Sequence, residues 1–174
     1  MNIDGFEIER KYLIRMPDEA WLRKNAYPSR IEQTYLLRPA PQVNARVRKR
    51  GQEGAWVYTY TQKTRISDLR RIEEEREISE EEYRTLLQQA DPSRAVICKT
   101  RWVLPWNGQS FEIDVFPFWD DRALMEIELT HEEQTVQLPP DIAVIREVTA
   151  DRRYTNASLS REIPREKLKK GSSV

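Results

Sequence analysis

The sequence predicts an α+β fold, mainly antiparallel β, closed into an eight-stranded barrel or tunnel with a charged interior and helices packed outside. Three observations predict it. Most of the chain alternates with period two, turn residues separate consecutive alternating runs, and acids and bases are sorted onto one face of each run. At 174 residues the chain suits one domain, set at residues 1–160, followed by a lysine-rich polar tail over 161–174 that is expected to be flexible.

The first alternating run is Phe6 to Ile14. Pro17 to Lys24 follows as a helix, with proline at a position suited to a helix start. Ile31 to Arg38, Val43 to Arg50 and Ala55 to Thr64 are the next three strands, the last two separated by the turn Gly51-Gln52-Glu53-Gly54. Leu69 to Ile78 is the fifth. Ser79 to Ala90 has Glu82 three residues after Ser79, a capping box, and sets Tyr83, Leu86, Leu87 and Ala90 on one face, so this helix should lie against the outside of the sheet. Ala95 to Trp106 and Ser110 to Phe118 flank Asn107-Gly108, a pair that accepts the positive φ of a tight hairpin. Ala123 to Thr130 is the eighth strand, and a short helix fits Thr155 to Ser160.

Residues two apart in a strand share a face, which divides each run into two stripes. Glu7, Glu9 and Lys11 oppose Phe6, Ile8 and Tyr12; Arg46 and Arg48 oppose Val43, Ala45 and Val47. Arg71, Glu73, Glu75 and Glu77 oppose Ile72 and Ile78, and Lys99 and Arg101 oppose Cys98 and Trp102. Glu112 and Asp114 oppose Phe111, Ile113 and Val115, while Glu126 and Glu128 oppose Met125, Ile127 and Leu129. For any one strand the plainer explanation is a sheet with one wet face. The grouping of acids and bases by strand, together with helices able to cover the apolar stripes, turns the charged faces toward one another.

Such an interior calls for a ligand of both signs: divalent cations for the carboxylates, phosphate oxygens for the bases. The rest of the composition narrows the chemistry. Lysine plus arginine and aspartate plus glutamate are 29 each, so no net field draws the chain to nucleic acid or an anionic membrane, and neither is expected as a partner. No apolar run has the length of a membrane helix, and the N-terminus shows no apolar signal core, so a cytoplasmic protein is expected. One cysteine, Cys98, and one histidine, His131, exclude an internal disulfide and a Cys/His zinc site. Exposed strand or helix faces leave room for a homodimer.

The charged motifs, in order, resemble the CYTH domain or triphosphate tunnel metalloenzyme family. The resemblance is carried by Glu7-Ile8-Glu9-Arg10-Lys11, Gln33-Thr34-Tyr35-Leu36, Arg46-Val47-Arg48, Thr61-Gln62-Lys63 and Arg71-Ile72-Glu73-Glu74-Glu75. It continues through Lys99-Thr100-Arg101, Glu112-Ile113-Asp114-Val115-Phe116, Glu126-Ile127-Glu128, Glu147-Val148-Thr149 and Arg153-Tyr154-Thr155-Asn156, covering about Glu7 to Leu159. Two segments depart from it: the tail after Ser160, and Thr64 to Asp68, which lacks the glycines small bacterial members often carry.

The resemblance implies an eight-stranded tunnel, Mg2+ or Mn2+, and hydrolysis of a linear triphosphate or a triphosphate-bearing small molecule. Compact bacterial inorganic triphosphatases are the nearest likeness. By the family pattern Lys11, Arg46, Arg48, Lys63, Lys99 and Arg101 would hold phosphate, with Arg153 a weaker candidate; Glu7, Glu9, Glu126 and Glu128 would hold metal; and Glu73, Glu75 and Asp114, with Lys11, would serve the catalytic step. Thiamine or nucleoside triphosphate hydrolysis and class IV adenylate cyclisation are alternatives within the family. A polyphosphate-binding module is the non-enzymatic one, disfavoured because so much negative charge opposes simple anion binding. Gln33 and Tyr35 could order water and the bases or serve structural hydrogen bonds. Cys98 is expected to be buried outward beneath a helix, His131 to be solvated, and the tryptophans to pack in the core or at the rim.

Overall fold

A computed structural model describes residues 8–65 and 71–170. Its strands are β1 (Ile8–Arg15), β2 (Tyr27–Tyr35), β3 (Val43–Gln52), β4 (Ala55–Arg65), β5 (Arg71–Ile78), β6 (Ile97–Trp106), β7 (Gln109–Val115), β8 (Arg122–Leu129) and β9 (Val144–Glu147). The helices are α1 (Glu19–Asn25), α2 (Glu80–Leu87) and α3 (Asn156–Leu159), the last preceded by a 3-10 turn at Arg152–Tyr154. All ladders are antiparallel, in the order β5-β4-β3-β2-β6-β7-β8-β1-β9. The mainly antiparallel α+β architecture is therefore as expected, with two differences in detail. A ninth strand, β9, pairs with β1, and the hydrogen-bonded order runs from β5 to β9 without closing on itself.

The curl of the sheet follows from one segment that touches strands far apart in that order. Lys11 of β1 reaches the Tyr154 carbonyl, and Lys99 of β6 reaches Asn156 Oδ1. Three strand spacings separate β1 from β6, roughly 14 Å in a flat sheet. Arg94, which holds the Ala157 carbonyl and Ser160, also reaches Asn44 of β3. The sheet thus wraps around residues 154–160.

The outer face is covered as its apolar stripe requires. Leu22 and Ala26 at α1 pack with Tyr12, Ile14, Trp102, Phe111, Ile113, Met125 and Ile127, and burying one such aliphatic side chain contributes about 1.5–3 kcal/mol. Tyr83 of α2 packs on Ala45, Val47 and Ile78. On the inner face, Leu13, Tyr35, Ile97, Phe116 and Leu124 meet Trp119, Val148, Tyr154 and Leu159, so one end of the cup is filled with apolar side chains. Residues 161–170, set apart from the sequence as a polar tail, run along this end: Ile163 and Leu168 pack on the cluster, Trp119 Nε1 donates to the Pro164 carbonyl at 3.3 Å, and Arg122 donates to the Glu166 carbonyl at 2.6 Å.

Several local expectations shift for physical reasons. α1 begins at Glu19, two residues after Pro17, and Asp18 caps it, accepting from Trp21 N at 2.8 Å. Ser79 caps α2 through Glu82 N at 3.0 Å, but the Glu82 carboxylate turns to Arg76, so only half of a capping box forms. β2 begins at Tyr27, earlier than expected, because Pro28 lies where β2 pairs with β6 alone, and the missing N–H meets no β3 partner. Asn107 (φ 49°) and Gly108 (φ 71°) form the expected hairpin turn. Cys98 points outward but is exposed; α2 sits over β3 and β4, with Tyr83 against Tyr58, and does not cover it.

Candidate active site

The ladder registers bring the charged stripes onto the concave face. Arg46 pairs with Thr61 and Tyr35, Arg48 with Thr59 and Gln33, Lys63 with Glu73, and Thr61 with Glu75. On the opposite wall Lys11 pairs with Glu126, Glu9 with Glu128, Glu112 with Glu126, and Arg101 with Asp114.

Asp114 lies at the centre of the most buried group. Its Oδ2 accepts from Lys99 Nζ at 2.6 Å and from Arg101 Nη2 at 2.8 Å, and its Oδ1 accepts from Arg101 Nε at 2.7 Å. Burial pushes this carboxyl up, but Lys99 and then Arg101 outweigh burial and hold it well below the usual carboxylate range. Arg101 also meets Glu112 at 2.5 Å and Glu126 at 3.5 Å. Lys11 lies 3.0 Å from Glu126 and 3.9 Å from Glu9. Burial would lower its pKa, yet Glu126 and then Glu9 raise it above the ordinary lysine value.

The β3–β5 wall is differently balanced. Lys63 is 2.9 Å from Glu73, and Arg48 is 3.6 Å from Glu75, which also accepts from Thr61 Oγ1 at 2.9 Å. Burial, then Arg46, lowers the Arg48 pKa, and Glu75 only partly offsets them. Arg46 Nε, Arg48 Nε and Thr59 Oγ1 are buried without a hydrogen-bond partner. Buried polar groups are nearly always paired, so three neighbouring orphans on one wall mark a place where a polar ligand belongs.

The structure thus brings together Lys11, Arg46, Arg48, Lys63, Glu73, Glu75, Lys99, Arg101, Asp114, Glu9, Glu126 and Glu128 on one concave face. Glu7 lies outside the described residues. Arg153 does not join them: it is exposed and bound to Asp151 at 2.7 Å. Asp114, Glu73 and Glu75 are each engaged by bases. Among the described residues no group of three acids, cysteines or histidines is assembled as a metal cage. The donor set still fits a hard divalent ion, because Glu9 and Glu128 face each other across a ladder, a like-charge opposition that a cation would relieve.

Sequence reasoning missed three contributors. Asn156 and the Tyr154 carbonyl cap Lys99 and Lys11 from the far end of the chain. Arg94 lies over the Tyr35 ring, 3.7 Å from its centroid, and ties residues 157–160 to the sheet. Its local sequence, Asp91-Pro92-Ser93-Arg94, carries only a turn signal. Gln33, one of the two residues expected either to order water and bases or to serve structural hydrogen bonds, is buried and donates to the hydroxyl of the other, Tyr35, at 3.0 Å.

A curled antiparallel sheet with guanidinium groups on one wall and acids interleaved with bases on the other defines a cup of the triphosphate tunnel class. Comparison of the sequence with models of known protein families finds no match. Over 159 residues, 91% of this chain and 99% of the relative, the chain is 33% identical to an inorganic triphosphatase of Nitrosomonas europaea. The crystal structure of the inorganic triphosphatase NE1496 superposes with a TM-score of 0.60 at 30% identity, covering 91% of this chain and 97% of that one. The PH1819 protein from Pyrococcus horikoshii OT3 shares the fold, with a TM-score of 0.52 at 19% identity over 72% of this chain and 81% of that one. The chain belongs to the CYTH, or triphosphate tunnel metalloenzyme, family represented by the Nitrosomonas europaea inorganic triphosphatase.

Proposed function

We propose that this chain is a cytoplasmic, divalent-metal-dependent hydrolase that cleaves inorganic triphosphate to pyrophosphate and phosphate in the charged cup, with Mg2+ or Mn2+ as the metal. The observation that carries the reading is the pair of buried, unpartnered Nε donors on Arg46 and Arg48, beside the unpartnered Thr59 hydroxyl. These donors suit the oxygens of a phosphate chain, to which arginine presents two parallel hydrogen bonds. The relative's activity on inorganic triphosphate supports the choice of substrate.

In this reading Arg46, Arg48, Lys63, Lys11, Lys99 and Arg101 bind and orient the phosphoryl groups. Glu9, Glu126 and Glu128, with Glu7, hold the metal. A bound divalent ion would neutralise phosphate charge and ease the development of charge on the reacting oxygens. Asp114 aims Lys99 and Arg101 at the substrate, and Glu73 and Glu75 do the same for Lys63 and Arg48. Phosphoryl transfer to water needs little covalent help, so these positioned charges carry most of the rate.

The test is a substrate panel: tripolyphosphate, ATP and thiamine triphosphate, each with Mg2+, Mn2+ or chelator. The expected result is metal-dependent phosphate release with tripolyphosphate as the preferred substrate. Preference for either organic triphosphate, cyclic AMP from ATP, or tight tripolyphosphate binding without turnover in any metal would each replace this reading.

A further inference from the structure

Arg50 continues the inward stripe of Arg46 and Arg48 by one position, and we propose that with Ser29 it forms an outer anion subsite for a fourth phosphoryl group of a longer linear polyphosphate. The inference rests on the triphosphate reading above and extends it to chain length.

The register places Arg50 opposite Ile31 of β2 and Val57 of β4, two residues along β3 from the Arg48 pairings and on the same face. Its Nε donates to Ser29 Oγ at 3.1 Å, and Ser29 is itself in register with Arg101. One edge of the guanidinium is thus fixed by a hydroxyl, which leaves the planar fork of the terminal nitrogens for a ligand. Among the described residues no carboxylate lies within ion-pair distance of Arg50. Arg46, Arg48 and Arg50 together share a single ion pair there, Arg48 with Glu75. Arg48 feels both neighbours as like charges, which lower its pKa after burial has done so. Three guanidinium groups against one carboxylate exceed what the wall can balance internally.

Direction decides what Arg50 would meet. Alternate inward residues stand roughly 6.6 Å apart along a strand, so the stripe runs about 13 Å from Arg46 to Arg50. Its Arg46 end lies beside Tyr35, at the end closed by Leu13, Ile97, Leu124 and Tyr154. Its Arg50 end adjoins the Gly51 to Gly54 turn, away from that closed end. A phosphate chain anchored on Arg46 and Arg48 can lengthen only toward Arg50. The plainer role, a tie between β2 and the β3–β4 hairpin through Ser29, predicts no dependence on substrate length.

The experiment compares kcat/KM for tripolyphosphate and tetrapolyphosphate in the wild type, Arg50→Gln and Ser29→Ala. The tetrapolyphosphate-to-tripolyphosphate ratio should fall about tenfold in Arg50→Gln, as for loss of a charge-assisted hydrogen bond to one substrate only. It should fall less, in the same direction, in Ser29→Ala. Because the ratio compares two substrates on one protein, partial misfolding cancels. An unchanged ratio overturns the subsite, whether both activities drop together or neither drops. If the wild type hydrolyses neither anion, the triphosphatase reading fails by itself. Calorimetric affinities of the same two anions for the wild type and Arg50→Gln then judge the subsite by the same ratio.

Discussion

Asp114 receives the Lys99 ammonium at 2.6 Å, with both side chains almost wholly shut off from solvent. Arg101 completes the group from the other side of the carboxylate. Asp114→Asn keeps the volume and removes the charge, leaving two buried cations around a neutral amide. The expected cost is about 3–5 kcal/mol of folding stability, read from urea unfolding at neutral pH. The pH dependence has a definite sign. The Asp114 carboxyl titrates lower in the folded protein than in the unfolded chain, so its contribution is complete above the unfolded value, about 4, and fades as pH falls toward the folded one. Wild-type stability should therefore drop below about pH 4 more steeply than that of Asp114→Asn.

Glu9 and Glu128 oppose each other across the β1–β8 ladder. Glu128→Gln should leave the metal-free protein within about 1 kcal/mol of wild type, because a cross-strand repulsion is removed along with whatever contacts the carboxylate makes. Added Mg2+ or Mn2+ should raise the wild-type melting temperature and have little effect on the variant. Equal stabilisation of both proteins by metal would take Glu128 out of the ligand set.

Lys63 and Glu73 form a partly exposed pair at 2.9 Å, the kind that contributes about 0–1 kcal/mol. Lys63→Ala should unfold nearly as the wild type does. Its kcat for tripolyphosphate should fall about 100-fold or more if the ammonium meets charge that grows in the transition state. Wild-type turnover by the folded variant would remove Lys63 from the reaction.

Glu166 accepts from Arg146 at 2.8 Å and from the hydroxyl of the fully buried Tyr154. Burial, then Glu166, pushes the Tyr154 phenol up to about 12. Glu166→Ala should cost about 1–3 kcal/mol, the penalty of stranding a buried hydroxyl, measured as a lower melting temperature. An unchanged melting temperature would mean that the Glu166 carboxylate adds nothing to the closed end of the cup.

Much of this architecture was legible in the sequence because strand alternation is a local signal. Placing Glu9, Lys11, Arg46, Arg48, Lys99, Arg101 and Asp114 on one face required only counting by twos, and Asn107-Gly108 fixed its hairpin by backbone chemistry. What escaped was set at long range. Val144 to Glu147 has too few residues for alternation to register, and it is a strand because β1 offers an edge. Whether β5 meets β9 depends on the summed curl of nine strands, which no single strand encodes. Arg94 and Glu166 have unremarkable neighbours in sequence, and Asn156, though it closes a quoted motif, shows its bond to Lys99 only when the chain folds back. Arg153 matched a motif, yet Asp151, two residues away, claims its guanidinium. Cys98 was placed on the correct face, but the position of α2 over β3 and β4 is a packing outcome.

The central claim, that this cup hydrolyses inorganic triphosphate with a divalent metal, is tested most directly by phosphorus NMR of tripolyphosphate incubated with the purified protein. With Mg2+ or Mn2+ the triphosphate resonances should give way to equal amounts of pyrophosphate and orthophosphate, and chelator should stop the conversion. Unchanged triphosphate at every metal condition, in protein shown to be folded, would contradict it.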